Sequence, residues 1–308
     1  MQRPWRLGAF LALLAPALAG AQTPRADGPP VRLADVGTAP AWSPDGALVA
    51  FTEPGYAGIW TVTADDGDVR QVTDAPAAGF GFSWSPDGSA ILARAARTDG
   101  LRRENAVVVY GLDGGARALT DWRDQMPALP RWAGPAHVAL AAGAGAEVLA
   151  VDGAARAAPR GPVVLPSGDA AVVAEPAAGS ARRFSPLDGA ALLNVTPSPD
   201  GQRVAFEVVG GNLYTARLDG TDLVDLGPGH RPAWSPDGRH VAFMVTEDDG
   251  HTFTAADLWA ARADGSARVA LTRTPDRLEM NPAWSPDGAR IAYDDAADGA
   301  LYVLPVAE

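Results

Sequence analysis

The 308-residue chain contains no cysteine and no lysine. Without cysteine there is no disulfide framework and no lipid-attachment thiol. All 25 basic residues are therefore arginine, against 37 acids, for a formal net charge of −12. A surface of that sign disfavours nucleic acid and anionic membranes as general partners. Histidine is scarce, at four residues, and aromatics make up 7% of the chain, which argues mildly against broad sugar-stacking platforms. Catalytic signatures are missing as well. There is no G-x-S-x-G elbow, no H-E-x-x-H pair, no P-loop and no G-x-G-x-x-G after a strand. Beyond the first 21 residues no run is apolar enough to span a bilayer.

Those first residues have their own pattern. Arg3 and Arg6 precede an apolar stretch from Leu7 to Leu18, and Ala19-Gly20-Ala21 follows as a small-residue cleavage site. Residues 1–21 thus read as a secretory signal, which places the mature chain in the periplasm or outside the cell. Residues 22–30 are rich in Pro and Gly and read as a flexible lead-in to a domain over 31–308.

What the chain has in abundance is one phrase. PAWSPDGRHVAF ends at Phe243, and near-copies end at Phe51, Ala93, Phe206 and Tyr293. In each copy Ser-Pro-Asp-Gly makes a tight turn. Proline presets φ at the first central position, aspartate suits the second, and glycine accepts a left-handed backbone. An apolar run of strand length follows each turn, so a copy reads as strand, turn, strand. A third strand then leads to an Asp-Gly pair, as at Asp66-Gly67, Asp113-Gly114, Asp219-Gly220 and Asp264-Gly265, and a fourth strand such as DVRQVTD (68–74) comes next. Weaker copies lie at 131–140 and 165–175, giving seven first turns near positions 42, 84, 132, 165, 197, 234 and 284.

The two ends of the chain fit together. The last unit stops after its third strand, and VRLAD at 31–35 resembles a fourth strand with no unit of its own. Closure of the first strand onto the last unit makes sense only for a ring. The expected fold is all-β, a seven-bladed propeller of four-stranded antiparallel blades, with six blades as the alternative because the fourth unit is weak. Seven units of about 41 residues match the usual blade period of roughly 40–45.

The WSPDG turn, the apolar strand, the Asp-Gly turn and a fourth strand ending in Leu-Thr resemble the WD-like repeat of the TolB family. The same repeat builds the propeller domains of tricorn-type and prolyl-oligopeptidase-like peptidases. The resemblance implies an envelope protein whose propeller binds a peptidoglycan-associated lipoprotein. That family carries an α/β domain before its propeller, where this chain offers only residues 22–30.

Function has to be sought in a site. The first-to-second and third-to-fourth turns share one face of a propeller and are tight here; the other face receives the longer connections. Expected there are loops over 93–106, with Arg94, Arg97, Arg102 and Arg103, and over 121–130, with Trp122, Arg123 and Met126. A third such connection, 272–282, carries Arg277, Glu279 and Met280. These ten residues are the candidate partner-binding set, since Trp, Met and Arg are enriched in interface cores. The plainer reading has Trp122 and Met126 covering blade tops and the arginines pairing with acids. Glu247, Asp248, Asp249 and Asp257 are the weak metal candidates, for Ca²⁺; their spacing is not that of an EF-hand, and a solvated loop between two strands is the favoured reading. His230 and His251 fall short of the three or four ligands of an ordinary metal site. The repeat tryptophans, Trp42, Trp84, Trp132, Trp234 and Trp284, are assigned to packing between blades. The leading functional expectation is a monomeric, non-catalytic protein-interaction scaffold without a cofactor. The alternative is a small-ligand or saccharide binder, or a lyase-type enzyme, using the mouth of the central channel.

Overall fold

The computed structural model describes residues 23–308 apart from 125, 127, 128, 143, 144, 154–160, 168 and 169. The signal expected over 1–21 lies outside the described residues. Seven antiparallel sheets follow one another along the chain, over 38–73, 83–118, 131–150, 163–184, 192–227, 230–270 and 279–307. They are the blades of a seven-bladed β-propeller, numbered here in that order. Blades 1, 2, 5 and 6 are complete four-stranded meanders. Blade 3 shows three strands, and the continuation past Val151 runs into undescribed residues. Blade 4 also shows three, because residues 185–191 after its third strand make no ladder.

Blade 7 is completed by the other end of the chain. Val31–Ala34 runs antiparallel to Leu301–Ala307, with Val31 opposite Val303 and Arg32 opposite Tyr302. The closing segment starts earlier than the sequence suggests. Arg25–Ala26, within the stretch read as a flexible lead-in, pairs with Ala307 and Val306 of the same strand.

Each strong repeat folds its turn the same way. The serine Oγ donates to the aspartate two residues on, at 2.5–2.6 Å in Ser43–Asp45, Ser85–Asp87, Ser198–Asp200, Ser235–Asp237 and Ser285–Asp287. The same Oγ accepts the N–H five residues on, as from Leu48 and His240. The carboxylate accepts the N–H two residues on, as from Ala47 and Arg239. These donors hold the aspartates below their ordinary range, with Asp87 at about 2. Gly46, Gly88, Gly201, Gly238 and Gly288 close the turns at φ of 66–74°.

The core is a circuit of layers between blades. Trp42, Val49 and Phe51 of blade 1 pack with Ala292, Leu301 and Val303 of blade 7, and Phe184 of blade 4 packs with Phe206 of blade 5. Four of the five repeat tryptophans stitch this circuit, while the buried Nε1–H of Trp284 has no partner among the described residues. Trp42 donates its Nε1–H to Ala283 O of blade 7, Trp84 to Ala41 O of blade 1, Trp132 to Ser83 O of blade 2, and Trp234 to Thr196 O of blade 5. In each case the acceptor belongs to the first strand of the preceding blade.

Space around Gly238 is ample, since an added Cβ would meet only Pro199 Cδ at 3.9 Å. The cost of a side chain there is thus conformational. Gly238→Ala and Gly238→Val are each expected to lose about 1–2 kcal/mol in urea unfolding, because φ must stay left-handed. Unchanged unfolding midpoints would remove the turn's claim on glycine.

Candidate functional site

The first strand of each blade lines the central channel, and its opening residues approach the face opposite the Ser-Pro-Asp-Gly turns. A cavity of about 500 Å³ occupies this mouth. Blade 1 contributes residues 38–41, blade 5 residues 192–196, blade 6 Arg231 and Pro232, and blade 7 Asn281 and Pro282. Phe80, Gly81 and Phe82 from the link into blade 2, and Leu129 and Arg131 from the link into blade 3, complete much of the wall.

The wall has an unusual backbone. The residue three before the repeat tryptophan is left-handed in blades 1, 6 and 7: Ala39 (φ 53°), Arg231 (φ 56°) and Asn281 (φ 50°). Asn194 (φ 50°) occupies the matching place in blade 5, where Pro197 stands for the tryptophan, and Gly81 (φ 70°) does so in blade 2. Each of the four non-glycine cases coincides with a shift in strand register between the first and second strands, as between Thr38 and Ala41. The extra residue bulges, and its N–H turns out of the ladder.

Two of these turned N–H groups meet a buried carboxylate. In blade 7, Asp294 accepts from Asn281 Nδ2 of its own blade at 2.9 Å, and from Ala39 N and Thr38 Oγ1 of blade 1 at 3.0 Å each. In blade 5, Glu207 accepts from Asn194 Nδ2 of its own blade and from Arg231 N of blade 6, both at 2.6 Å. His230 Nδ1 lies 3.1 Å from its other oxygen. The two constructions are equivalent by repeat position: an acid on the second strand, an asparagine beside it, and a bulge from the next blade. They latch blade 5 to blade 6, and blade 7 to blade 1 across the ring closure.

The latches differ in electrostatics. Burial pushes Asp294 up to about 6, and its three uncharged donors only partly offset that. Burial acts on Glu207 too, but the hydrogen bonds from His230, Arg231 N and Asn194 outweigh it and hold Glu207 below its ordinary value. His230 is raised in return by Glu207. Sequence reading missed both acids. The available signal was an acid four residues after the repeat's Asp-Gly-x-x position, in AFE and AYD, where the other strong copies carry Thr52, Arg94 and Met244.

The ten candidate residues scatter. The expected loop 93–106 is instead a long hairpin, Ala90–Asp99 with Arg102–Gly111, in which Arg97 faces Glu104. Arg97 pairs with Glu104 at 2.7 Å and stacks over Trp122 at 4.5 Å. Arg123 makes two hydrogen bonds to Glu147, at 2.7 and 2.9 Å, and Arg102 lies 3.7 Å from Asp124. Arg277 lies 3.4 Å from Asp295 and stacks on Tyr302. Met126, Met280 and Glu279 are 5%, 9% and 0% exposed, so the folded surface does not offer them to a partner. Glu279 accepts from the Thr272 and Thr274 hydroxyls, and burial raises its pKa. Arg103 borders a small depression beside Arg97. Of the ten, Arg94 lines the channel cavity.

The proposed cation loop is likewise a hairpin, His240–Asp248 with Phe253–Arg262. Asp248 and Asp249 cap N–H groups of its turn, Asp257 accepts from Thr274 N, and Glu247 stands opposite Ala255. The four acids do not converge. Among the described residues the cluster with metal-ligand spacing is Asp237, His240 and Glu308. Arg239 already bridges both of its carboxylates.

No family model matches the chain, and no curated protein does. Among solved structures it is similar to a TolB-type protein from Agrobacterium tumefaciens, with 19% identity, 88% of this chain and 90% of that one covered, and a TM-score of 0.56. It is also similar to TolB from Acinetobacter baumannii, with 18% identity, 82% of this chain and 57% of that one covered, and a TM-score of 0.55. An oligogalacturonate lyase in complex with manganese aligns at 15% identity over 88% of this chain and 77% of that one, with a TM-score of 0.49. At these identities the shared property is the fold, a β-propeller of TolB-like form.

Asp294 links the ring closure to pH. Its folded pKa, about 6, lies above the unfolded 3.8, so its contribution is complete below the unfolded value and is lost as pH rises through the folded one. Asp294→Asn is expected to melt lower than the parent, with the gap widest near about pH 4 and narrowing towards about pH 7.5. A gap that does not change over that range would detach Asp294 from the closure's pH response.

Proposed function

We propose that the chain acts, after export, as a non-catalytic binding module whose partner engages the mouth of the central channel. The observation that carries this reading is the cavity itself. Its wall is drawn from all seven blades, and latches of buried acids pin its bulges on two sides. A recess on a rigid ring is where a propeller can bind without moving its scaffold. The long hairpins at 90–111 and 240–262 rise on the same face and would flank an occupant.

The candidate surface around Trp122 supports binding less well, since Arg97 covers that ring and Met126 lies beneath the surface. Export rests on the pattern of residues 1–21. Among the described residues no helix is long and apolar enough to cross a membrane. The setting proposed is the periplasm, and the partner an envelope protein, a peptidoglycan-associated lipoprotein being the first to test.

The test places a photo-reactive residue at Leu193, which lines the cavity and is 43% exposed, or at Leu101, fully exposed at the tip of a hairpin. Irradiation in an envelope extract of the native host is expected to yield one discrete adduct from position 193 and none from 101. Adducts from 101 alone would move the interface to the hairpin and refute the channel mouth.

A further inference from the structure

The cavity's charge is opposite to that of the chain. Three arginines, Arg94, Arg131 and Arg231, line it, and among the described residues no aspartate or glutamate does. The whole chain has a net charge of −12. Among the described residues, none of the three has a carboxylate within salt-bridge distance, whereas Arg123, Arg203, Arg277 and Arg290 do. Arg94 donates Nη1–H to Met126 O at 2.7 Å and lies over Phe80, while its Nε–H is buried with no acceptor. Among the described residues Arg131 reaches two carbonyls, Gly81 O at 3.4 Å and Pro130 O at 3.5 Å. Arg231 touches Asn194 Oδ1 at 3.4 Å. Glu207, behind the wall, spends its oxygens on Asn194, His230 and the Arg231 backbone N–H.

Burial, with repulsion from Arg103 beside it, lowers the pKa of Arg94, and burial lowers that of the half-buried Arg131. Guanidinium groups in this state favour carboxylates, which they can bind with two parallel hydrogen bonds. Arg94 and Arg131 flank the Phe80–Gly81 stretch on the side of blades 2 and 3, and Arg231 stands on blade 6, so the cation sites are separated around the ring. Between them the wall mixes the apolar Pro40, Pro166, Leu192 and Phe82 with the polar Thr38, Asn194, Thr196 and Asn281.

We infer that the channel mouth receives an acidic peptide segment of the partner, its carboxylates read by Arg94, Arg131 and Arg231. The inference rests on the channel-mouth reading above and adds the chemistry of the occupant. An extended peptide, with carboxylates spaced along it and amides that can meet Thr38, Asn194 and Asn281, suits separated cations better than one compact anion does. At physiological salt the Debye length is about 8 Å, so the acidic exterior does not repel a segment already in the mouth.

The probe is acetyl-tetraglutamate amide, titrated calorimetrically into the full mature chain, with the tetraglutamine peptide and citrate as comparisons. The expected result is one site per chain for tetraglutamate, weakened by added salt, and binding of tetraglutamine about tenfold weaker or worse. Arg131→Gln and Arg231→Gln should each weaken tetraglutamate about tenfold, with melting temperature unchanged. Arg117→Gln, on an exposed outer strand away from the cavity, should leave it alone. Citrate binding as tightly as the peptide would assign the cavity to a free small anion and overturn the inference, as would tetraglutamate binding that ignores both substitutions. The Leu193 adduct separates the two levels. An adduct that survives Arg131→Gln/Arg231→Gln at full yield refutes the carboxylate reading but keeps the mouth; absence of the adduct from the parent chain refutes the mouth itself.

Discussion

Ring closure is the constraint on which the rest of this structure depends. A blade has one apolar face towards the blade before it and one towards the blade after, so no blade can bury its surface alone. The seam between blades 7 and 1 therefore has to equal the seams between sequence neighbours. It does so with three devices. Val31–Ala34 supplies blade 7's missing strand, Trp42 donates to Ala283 O across 241 residues, and Asp294 takes Thr38 and Ala39 across 256 and 255. Loop-closure entropy grows slowly with length, by about 0.6 kcal/mol per doubling, so joining such distant segments costs little more than joining near ones. Gly37 shows how closely the seam packs, since a Cβ there would fall 2.6 Å from Phe51 Cδ2 and 2.9 Å from Leu301 Cδ1.

What sequence reading resolved and what it did not follow a single division. The Ser-Pro-Asp-Gly turn is local: its serine, aspartate and glycine satisfy one another within five residues, so five copies announce five hairpins. The orphan strand at 31–35 and the role of the tryptophans came from counting those copies. The hairpin arms at 93–106 were less legible. Ala, Arg and Glu have no strong strand preference, and the ladder from Arg94 to Asp99 exists because Arg102–Val107 is in register beside it. Blade 4 keeps its place in the ring without a fourth ladder strand, an economy that its Asp188-Gly189 pair does not reveal.

The site was least legible of all, for a stated physical reason. Glu207 and Asp294 look in sequence like ordinary polar ends of strands. They are buried because the neighbouring blade bulges towards them, and a bulge is a property of two strands, not of one. Glu279 erred in the other direction, since an acid in a connection read as exposed is covered by Thr272 and Thr274. Burial of a charged group was thus decided between elements in every case.

The left-handed positions connect stability to the mouth. A non-glycine residue such as Ala39 or Arg231 at φ near 50° costs about 1–2 kcal/mol, asparagine less, so the pair alone takes a sizeable share of a domain's net stability. Glycine would remove that cost, and in blade 2 Gly81 does, where a Cβ would also fall 2.5 Å from Leu129 Cδ1. Blades 5, 6 and 7 keep a longer side chain there and use it. Asn194 and Asn281 each reach a latch carboxylate, and Arg231 gives its N–H to Glu207 while its guanidinium is left to the cavity. The same bulge that fixes a blade against its neighbour thus fixes the backbone from which Arg231 projects at the cavity. A cation held by the scaffold loses little freedom on meeting an anion, which is the general route by which preorganisation becomes affinity.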